Sequence, residues 1–311
     1  VSFLGPGSRR IARSAALLAF LGGADLVSAQ AKRTTAHAAS AAELATALND
    51  LRAARGVATL RSSEELTGYA QERAEVAARS GRLELDTANR QLERLSQRGY
   101  EAHLVSAVLS QAPGSAAEVL RGWLADPRGS LEEALSAEFH DLGVGVAVSS
   151  DPRQAPVYAL VLGLSWADHF TAGTAGLDDR VTVRRELLTR LNHERSERRI
   201  PPLRQQPRLD RVAQDYAERM LREGFYEHHD PTGASVLERV QAIGYSFSMV
   251  GENLASGQFT AEQVFDGWLG SPEHRENLLD RDFREVGHGV AHGKGAAGWQ
   301  VLWVQVFAKP R

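Results

Sequence analysis

The feature that most narrows the choice of fold is a long internal repeat. Leu48-Asn49 recurs as Leu191-Asn192, and the same ungapped register sets Arg52 on Arg195, Leu60 on Leu203, Leu66 on Leu209, Ala70 on Ala213 and Gly81 on Gly224. With two residues added in the second copy, Gly99-Tyr100 falls on Gly244-Tyr245, Gly122-Trp123-Leu124 on Gly267-Trp268-Leu269, and Pro127 on Pro272. With one then removed, 139–147 falls on 283–291 and carries Gly143 and Gly145 onto Gly287 and Gly289. Solenoid and propeller units recur every 20 to 50 residues or so, so a period this long means a duplicated domain. The spacing predicts one copy over 41–166 and another over 183–309, with linkers at 32–40 and 167–182, the latter rich in Gly, Thr, Ala and Asp.

Composition closes off several functions. A formal net charge of -3 leaves no basic surplus for phosphate neutralisation, so nucleic acid is not expected as a partner. The chain has no cysteine, which excludes disulfides, thiolate metal sites and a Cys nucleophile; a transition-metal site would have to use His and carboxylate. Residues 1–31 read as a signal peptide: Arg9, Arg10 and Arg13 precede the apolar run from Ala15 to Leu21, and Ser28-Ala29-Gln30-Ala31 offers a cleavage site. The expected location is therefore extracellular or at the cell envelope, the periplasm included, with an uncleaved membrane anchor as the alternative.

Periodicity places the elements of the second copy. Val183, Leu187, Leu188 and Leu191 recur at helical spacing, and a second stripe runs from Leu209 through Tyr216 to Leu221, closed by Gly224. Thr260 caps a third helix carrying Val264, Trp268 and Leu269, which Ser271-Pro272 ends. Val286–Ala291 and Trp299–Phe307 alternate as strands, with Gly293–Gly298 as the turn. Both faces of the last strand are apolar, which calls for helices on each side of a small antiparallel sheet.

These residues resemble the bacterial form of the CAP superfamily, the cysteine-rich secretory, antigen 5 and pathogenesis-related proteins. The matching pieces are Leu191-Asn192-His193-Glu194-Arg195, Gly224-Phe225-Tyr226-Glu227-His228, Gly251-Glu252-Asn253-Leu254-Ala255, Trp268-Leu269-Gly270-Ser271-Pro272-Glu273-His274-Arg275, Phe283-Arg284-Glu285-Val286-Gly287 and Trp303-Val304-Gln305-Val306-Phe307. The resemblance spans the second copy and reaches the first through the repeat. It implies an α+β fold, two α-β-α sandwich domains each with a small antiparallel sheet flanked by helices, and a central cleft lined by two His and two Glu. His228 and His274 match the cleft histidines and Glu252 the first glutamate. The second glutamate of eukaryotic relatives lies on the helix that here carries Trp268, where this chain has Ser271; Glu285 is the substitute.

Such a set offers His228 and His274, with carboxylates, to a divalent cation such as Zn²⁺, Mg²⁺ or Ca²⁺. Without a metal, a carboxylate can hold a protonated imidazole and raise its pKa. The first copy carries Leu85, Ala107, Gly129 and Asp141 at the places of His228, Glu252, His274 and Glu285, so the polar set is not a requirement of the fold. The expectation is an exported binding module for a cation or for a small ligand, peptide, glycan or lipid, able to associate with the cell envelope. A metal-dependent hydrolase is one alternative, and a sterol or fatty-acid binder with a groove lined by Phe247, Met249 and Val250 is another. Other residues have plainer readings: His229 in solvent, His288 and His292 on an exposed edge, Trp268 and Trp303 in the core or cleft wall, Asn253 bonding its own turn, and Arg195–Arg199 as an exposed helix end.

Overall fold

The computed structural model describes residues 38–125 and 132–311 and the backbone of Ile11–Ser14. It divides into two compact units, Arg9–His169 and Phe170–Arg311. Apart from Ile11–Ser14, the segment read as a signal peptide lies outside the described residues.

In the first unit the order is β1 (Ile11–Ser14), α1 (Ala41–Ala54), β2 (Arg61–Ser62), α2 (Glu64–Ser80), α3 (Ala88–Gln97), β3 (Ala102–Gln111), α4 (Ala116–Ala125), β4 (Asp141–Ala147) and β5 (Val157–Ser165). The sheet order is β1-β3-β5-β4-β2, antiparallel at β3-β5 and β5-β4. One face packs on α1 and α4 through Leu44, Leu48, Val119 and Trp123, the other on α2 and α3 through Leu66, Tyr69, Leu92 and Leu95.

The second unit repeats this plan. After α5 (Trp166–Thr174), which spans the boundary between the units, come α6 (Arg180–Glu197), β6 (Arg204–Gln205), α7 (Pro207–Glu223), α8 (Val236–Ala242), β7 (Phe247–Ser256), α9 (Ala261–Gly270), α10 (Pro272–Leu279), β8 (Glu285–Gly295) and β9 (Gly298–Pro310). The sheet runs β6-β8-β9-β7, so β7 is an edge strand. Alternation on β9 sends Val301, Trp303 and Phe307 to α6, α9 and α10, and Leu302, Val304 and Val306 to α7 and α8. Each unit is thus an α-β-α sandwich.

Shared sequence maps onto shared physics. A Cβ on Gly287 would lie 2.2 Å from the Leu209 carbonyl carbon, and one on Gly143 2.2 Å from that of Leu66. Glycine is what lets α7 and α2 lie directly on their strands. Arg195, expected at an exposed helix end, is fully buried. Its guanidinium donates to the carbonyls of Pro201, Leu278 and Asp280, tying α6 to the end of α10. Arg52 does the same with Ala58, Ala134 and Ser136. Helical spacing alone misplaced it because its partners are loop carbonyls far along the chain.

Two expected boundaries shift. Residues 167–182 are no open linker: they contain most of α5 and the start of α6, and Phe170 and Leu177 are buried in the second unit's core. The segment through Glu252 is strand β7, not a turn; its run of polar residues hid the period of two.

Candidate functional site

The site is built on the edge strand. Glu252 lies opposite Val306 in β7, and its side chain is only 3% exposed. One carboxylate oxygen meets Arg239 of α8 at 2.5 Å, and the other faces Nδ1 of His228 at 2.9 Å. Arg239 lies 3.4 Å above the Tyr216 ring and also donates to the carbonyls of His228 and Ala234. The loop between α7 and α8 that carries His228 is knotted by Asp230, which accepts from Thr232 and the Ala234 amide and pairs with Arg219. Every group that fixes His228 is therefore itself fixed.

The His228 imidazole remains 55% exposed. Its pKa is raised, chiefly by the hydrogen bond to Glu252, against an opposing burial penalty. With Nδ1 occupied, Nε2 is the nitrogen left to solvent, oriented by a buried carboxylate.

His274 approaches from the opposite layer, on α10. Its pKa is lowered, first by burial and then by the nearby His228. The structure thus pairs His228 with Glu252, ties the His274 backbone to the next residue of the same strand, and pushes the two imidazoles in opposite directions. Asn253 donates to the His274 carbonyl at 3.0 Å, and Asn277 donates to Asn253 Oδ1 at 2.8 Å and to the Glu252 carbonyl at 3.2 Å. Asn253 is therefore a buried clamp rather than a turn-former.

That clamp is one end of a polar row across the sheet. Gln305 lies opposite both Asn253 and His288. Its amide nitrogen is 2.9 Å from His288 Nε2, and its oxygen accepts from Asn253 at 3.3 Å. Asn253, Gln305 and His288 are all essentially without solvent contact. His288, expected at an exposed edge, is covered by α6 and α7: Arg184 donates to its carbonyl, Asp210 accepts from its amide, and burial drops its pKa to about 3. The first unit has Val108, Leu160 and Val144 in the same mutual register. Sequence comparison of the copies contained this signal, because three polar residues facing three apolar ones mark a substitution of a whole row.

Glu285 does not join the cleft. It sits at the start of β8, opposite Ala308, and is held by Tyr245, Gln206 and Arg204. Burial works against its charge, yet these donors bring its pKa below the usual value. Asp141 in the first unit accepts from Tyr100 at 2.8 Å and from Arg61 at 2.9 Å, so the acid–tyrosine–arginine trio belongs to the shared framework. The expected groove residues are partly buried on the two cores: Met249 packs against one, and Phe247 and Val250 against the other. His229 is exposed, Trp268 and Trp303 are buried with their indole nitrogens bonded to Leu254 and Gln258 carbonyls, and Ser271 bonds Glu273.

For a metal, the donor set is short. Among the described residues no three His, Asp or Glu side chains stand close enough to hold one ion, and the Glu252 oxygens already face Arg239 and His228. The imidazoles on offer are His228 and His274, with Glu252 as the carboxylate behind His228.

The first unit replaces the cleft. Ala107 stands opposite Val161 as Glu252 stands opposite Val306. Arg73 takes the place of Tyr216 and Arg94 that of Arg239, and both bond Asp86, at 3.1 and 3.2 Å. Arg94 and Arg98 also bond Glu72, at 2.8 and 2.5 Å.

This duplicated sandwich is what the comparisons with known proteins also find. The model of the cysteine-rich secretory protein family, CAP, matches residues 45–162 and again 188–307. The chain belongs to this family, twice over, and its kinship is with the bacterial members. It is 30% identical over 116 residues to the uncharacterized protein YkwD of Bacillus subtilis, covering 37% of this chain and 43% of that one. It is 34% identical over 79 residues to an uncharacterized protein of Borreliella burgdorferi, covering 25% and 50%. The chain thus spans half or less of the length of the curated relatives it matches. Similar solved structures include an outer surface protein of Borrelia burgdorferi, 26% identical with a TM-score of 0.36 over 40% of this chain and 90% of that one. Another is an extracellular SCP-domain protein of Bacillus anthracis, 20% identical with a TM-score of 0.37 over 54% and 57%.

Proposed function

We propose that this protein is an exported binding protein whose second unit takes a small oxygen-bearing ligand, a peptide or glycan fragment, between His228 and His274. The observation that carries this reading is the buried Glu252 carboxylate, which bonds Nδ1 of an imidazole that is itself more than half exposed. The fold has no need of that arrangement, since the first unit has Leu85 and Ala107 there. Near neutral pH the raised pKa of His228 favours a charged donor and the lowered pKa of His274 a neutral acceptor. A ligand hydroxyl or carboxyl meets both, accepting from one ring and, when protonated, donating to the other.

A divalent cation enters this reading only together with the ligand. Two imidazoles suit Zn²⁺, but the remaining positions must come from ligand oxygens or water. The hydrolase reading asks for a third protein donor, and the sterol reading for an apolar groove; neither has an observation in its favour. Export rests on the basic, apolar and small-residue succession of 1–31.

The test is calorimetry of the full chain against cell-envelope peptides and oligosaccharides, with and without Zn²⁺. We expect saturable binding that His228→Ala and His274→Ala each weaken at least about tenfold. Absence of binding in every combination, or binding that both variants retain, overturns the proposal.

A further inference from the structure

The first unit contains a cavity at a place where the second unit carries aromatic rings. It measures about 540 Å³ and lies between the end of β3, α4 and the loop leading into β5, lined by Trp123, Val119, Gly122, Pro113, Arg153 and Gln154 among others. Trp123 is anchored there by a 2.7 Å bond from its indole nitrogen to Ser110. At the corresponding place in the second unit Phe170 packs against Phe259 and Trp299, with ring centroids 5.5 and 5.2 Å away. In the register that sets Gly122-Trp123 on Gly267-Trp268, Phe259 becomes Gly114 and Trp299 becomes Gln154. Gly114 also has φ +111, which leaves no side chain a comfortable place. Two large rings are thus absent while the tryptophan is kept, and the space lies within the usual range for small-molecule sites, about 300–1,000 Å³.

We infer that this cavity binds an aromatic ring carried by a small ligand. The ring takes the space of the missing Phe259 and Trp299 counterparts beside Pro113 and Gly122, above the buried Trp123 and Val119, and a polar substituent on it faces the rim at Gln154 and Arg153. This site is separate from the His228–His274 cleft, and its success or failure leaves that proposal untouched.

Indole and p-cresol are the probes, titrated into the full chain by calorimetry and saturation-transfer NMR. Two variants refill the space: Gln154→Trp restores the second unit's residue, and Gly122→Leu adds a side chain where a Cβ meets nothing within 4 Å. We expect one saturable site with a dissociation constant of about 1 mM or tighter. Each variant should weaken binding at least about tenfold with circular dichroism unchanged, while His228→Ala leaves it unaltered. Lack of saturable binding, binding that both filled variants keep, or binding that His228→Ala abolishes, overturns the inference.

Discussion

Transplanting the first unit's apolar row into the second tests whether the Asn253–Gln305–His288 row acts as one device. The changes are Asn253→Val, Gln305→Leu and His288→Val, made singly and together, which reproduces Val108, Leu160 and Val144. Asn253→Val alone takes the partner from the His274 carbonyl and from Gln305 Oε1, while Asn277 keeps the Glu252 carbonyl. Two orphaned buried groups at about 1–3 kcal/mol each put the loss near 2–6 kcal/mol. The triple variant removes the orphaned Gln305 and His288 atoms as well and adds apolar contact, so it should cost no more than about 1–3 kcal/mol. Urea unfolding is the assay, with the second unit's transition followed through its own amide resonances, because a two-unit chain need not unfold in one step. A triple variant whose cost equals the sum of the three singles would mean three independent bonds and no coupled row.

Glu252→Gln should lower the His228 pKa measured by NMR, since the hydrogen-bonded carboxylate is the main cause of its rise, and should cost about 3–5 kcal/mol by leaving Arg239 without its buried partner; an unchanged His228 titration refutes the pairing. Because His288 titrates near 3 when folded and about 6.5 when unfolded, the unfolded chain binds the extra proton between those values. Stability is full above that window and falls by about 1.4 kcal/mol per pH unit on acidification through it, a slope the triple variant should lack. His228 has the opposite sign: its contribution is present at low pH and lost as pH rises through its folded pKa. Arg195→Ala and Arg52→Ala should each destabilise their own unit by about 3–5 kcal/mol, read as separate shifts in urea midpoint. Tyr245→Phe should cost about 1–2 kcal/mol in the second unit and leave ligand binding at His228 intact, which would place Glu285 outside the site by experiment.

The parts of this fold that a sequence can disclose are those governed by nearest neighbours. Helices with one apolar stripe, the Gly224 cap, the Thr260 cap and the doubly apolar β9 all follow from local period and turn chemistry. Strand β7 escaped because Gly251, Glu252 and Asn253 face different partners at an edge, so no alternation survives. Arg195 and His288 escaped for a related reason. A guanidinium or imidazole is read as exposed unless its hydrogen-bond partners are known, and here these are carbonyls and amides brought in from distant segments. His228, Glu252 and His274 stand at the motif positions of the family's cleft residues, whereas Glu285 lies in a shared motif that carries no cleft residue of its own. Only the tyrosine and arginine around it, duplicated around Asp141, reveal that it belongs to the scaffold.

Duplication separates what the sandwich needs from what a site adds. Both units keep the buried arginine, the acid–tyrosine–arginine trio and the paired glycines, so these answer to folding. The Glu252–His228 pair and the polar row occur in the second unit alone, and burying Asn253, Gln305 and His288 carries a desolvation cost that Val108, Leu160 and Val144 avoid. In the first unit Arg73 and Arg94, at the places of Tyr216 and Arg239, close on Asp86 and Glu72. Such a cluster satisfies its own charges and offers no oriented imidazole. A polar row that weakens the core is found in the copy that also carries the Glu252–His228 pair, and the two are joined through one strand: Asn253 fixes the backbone of His274 while Glu252, one residue earlier, fixes His228.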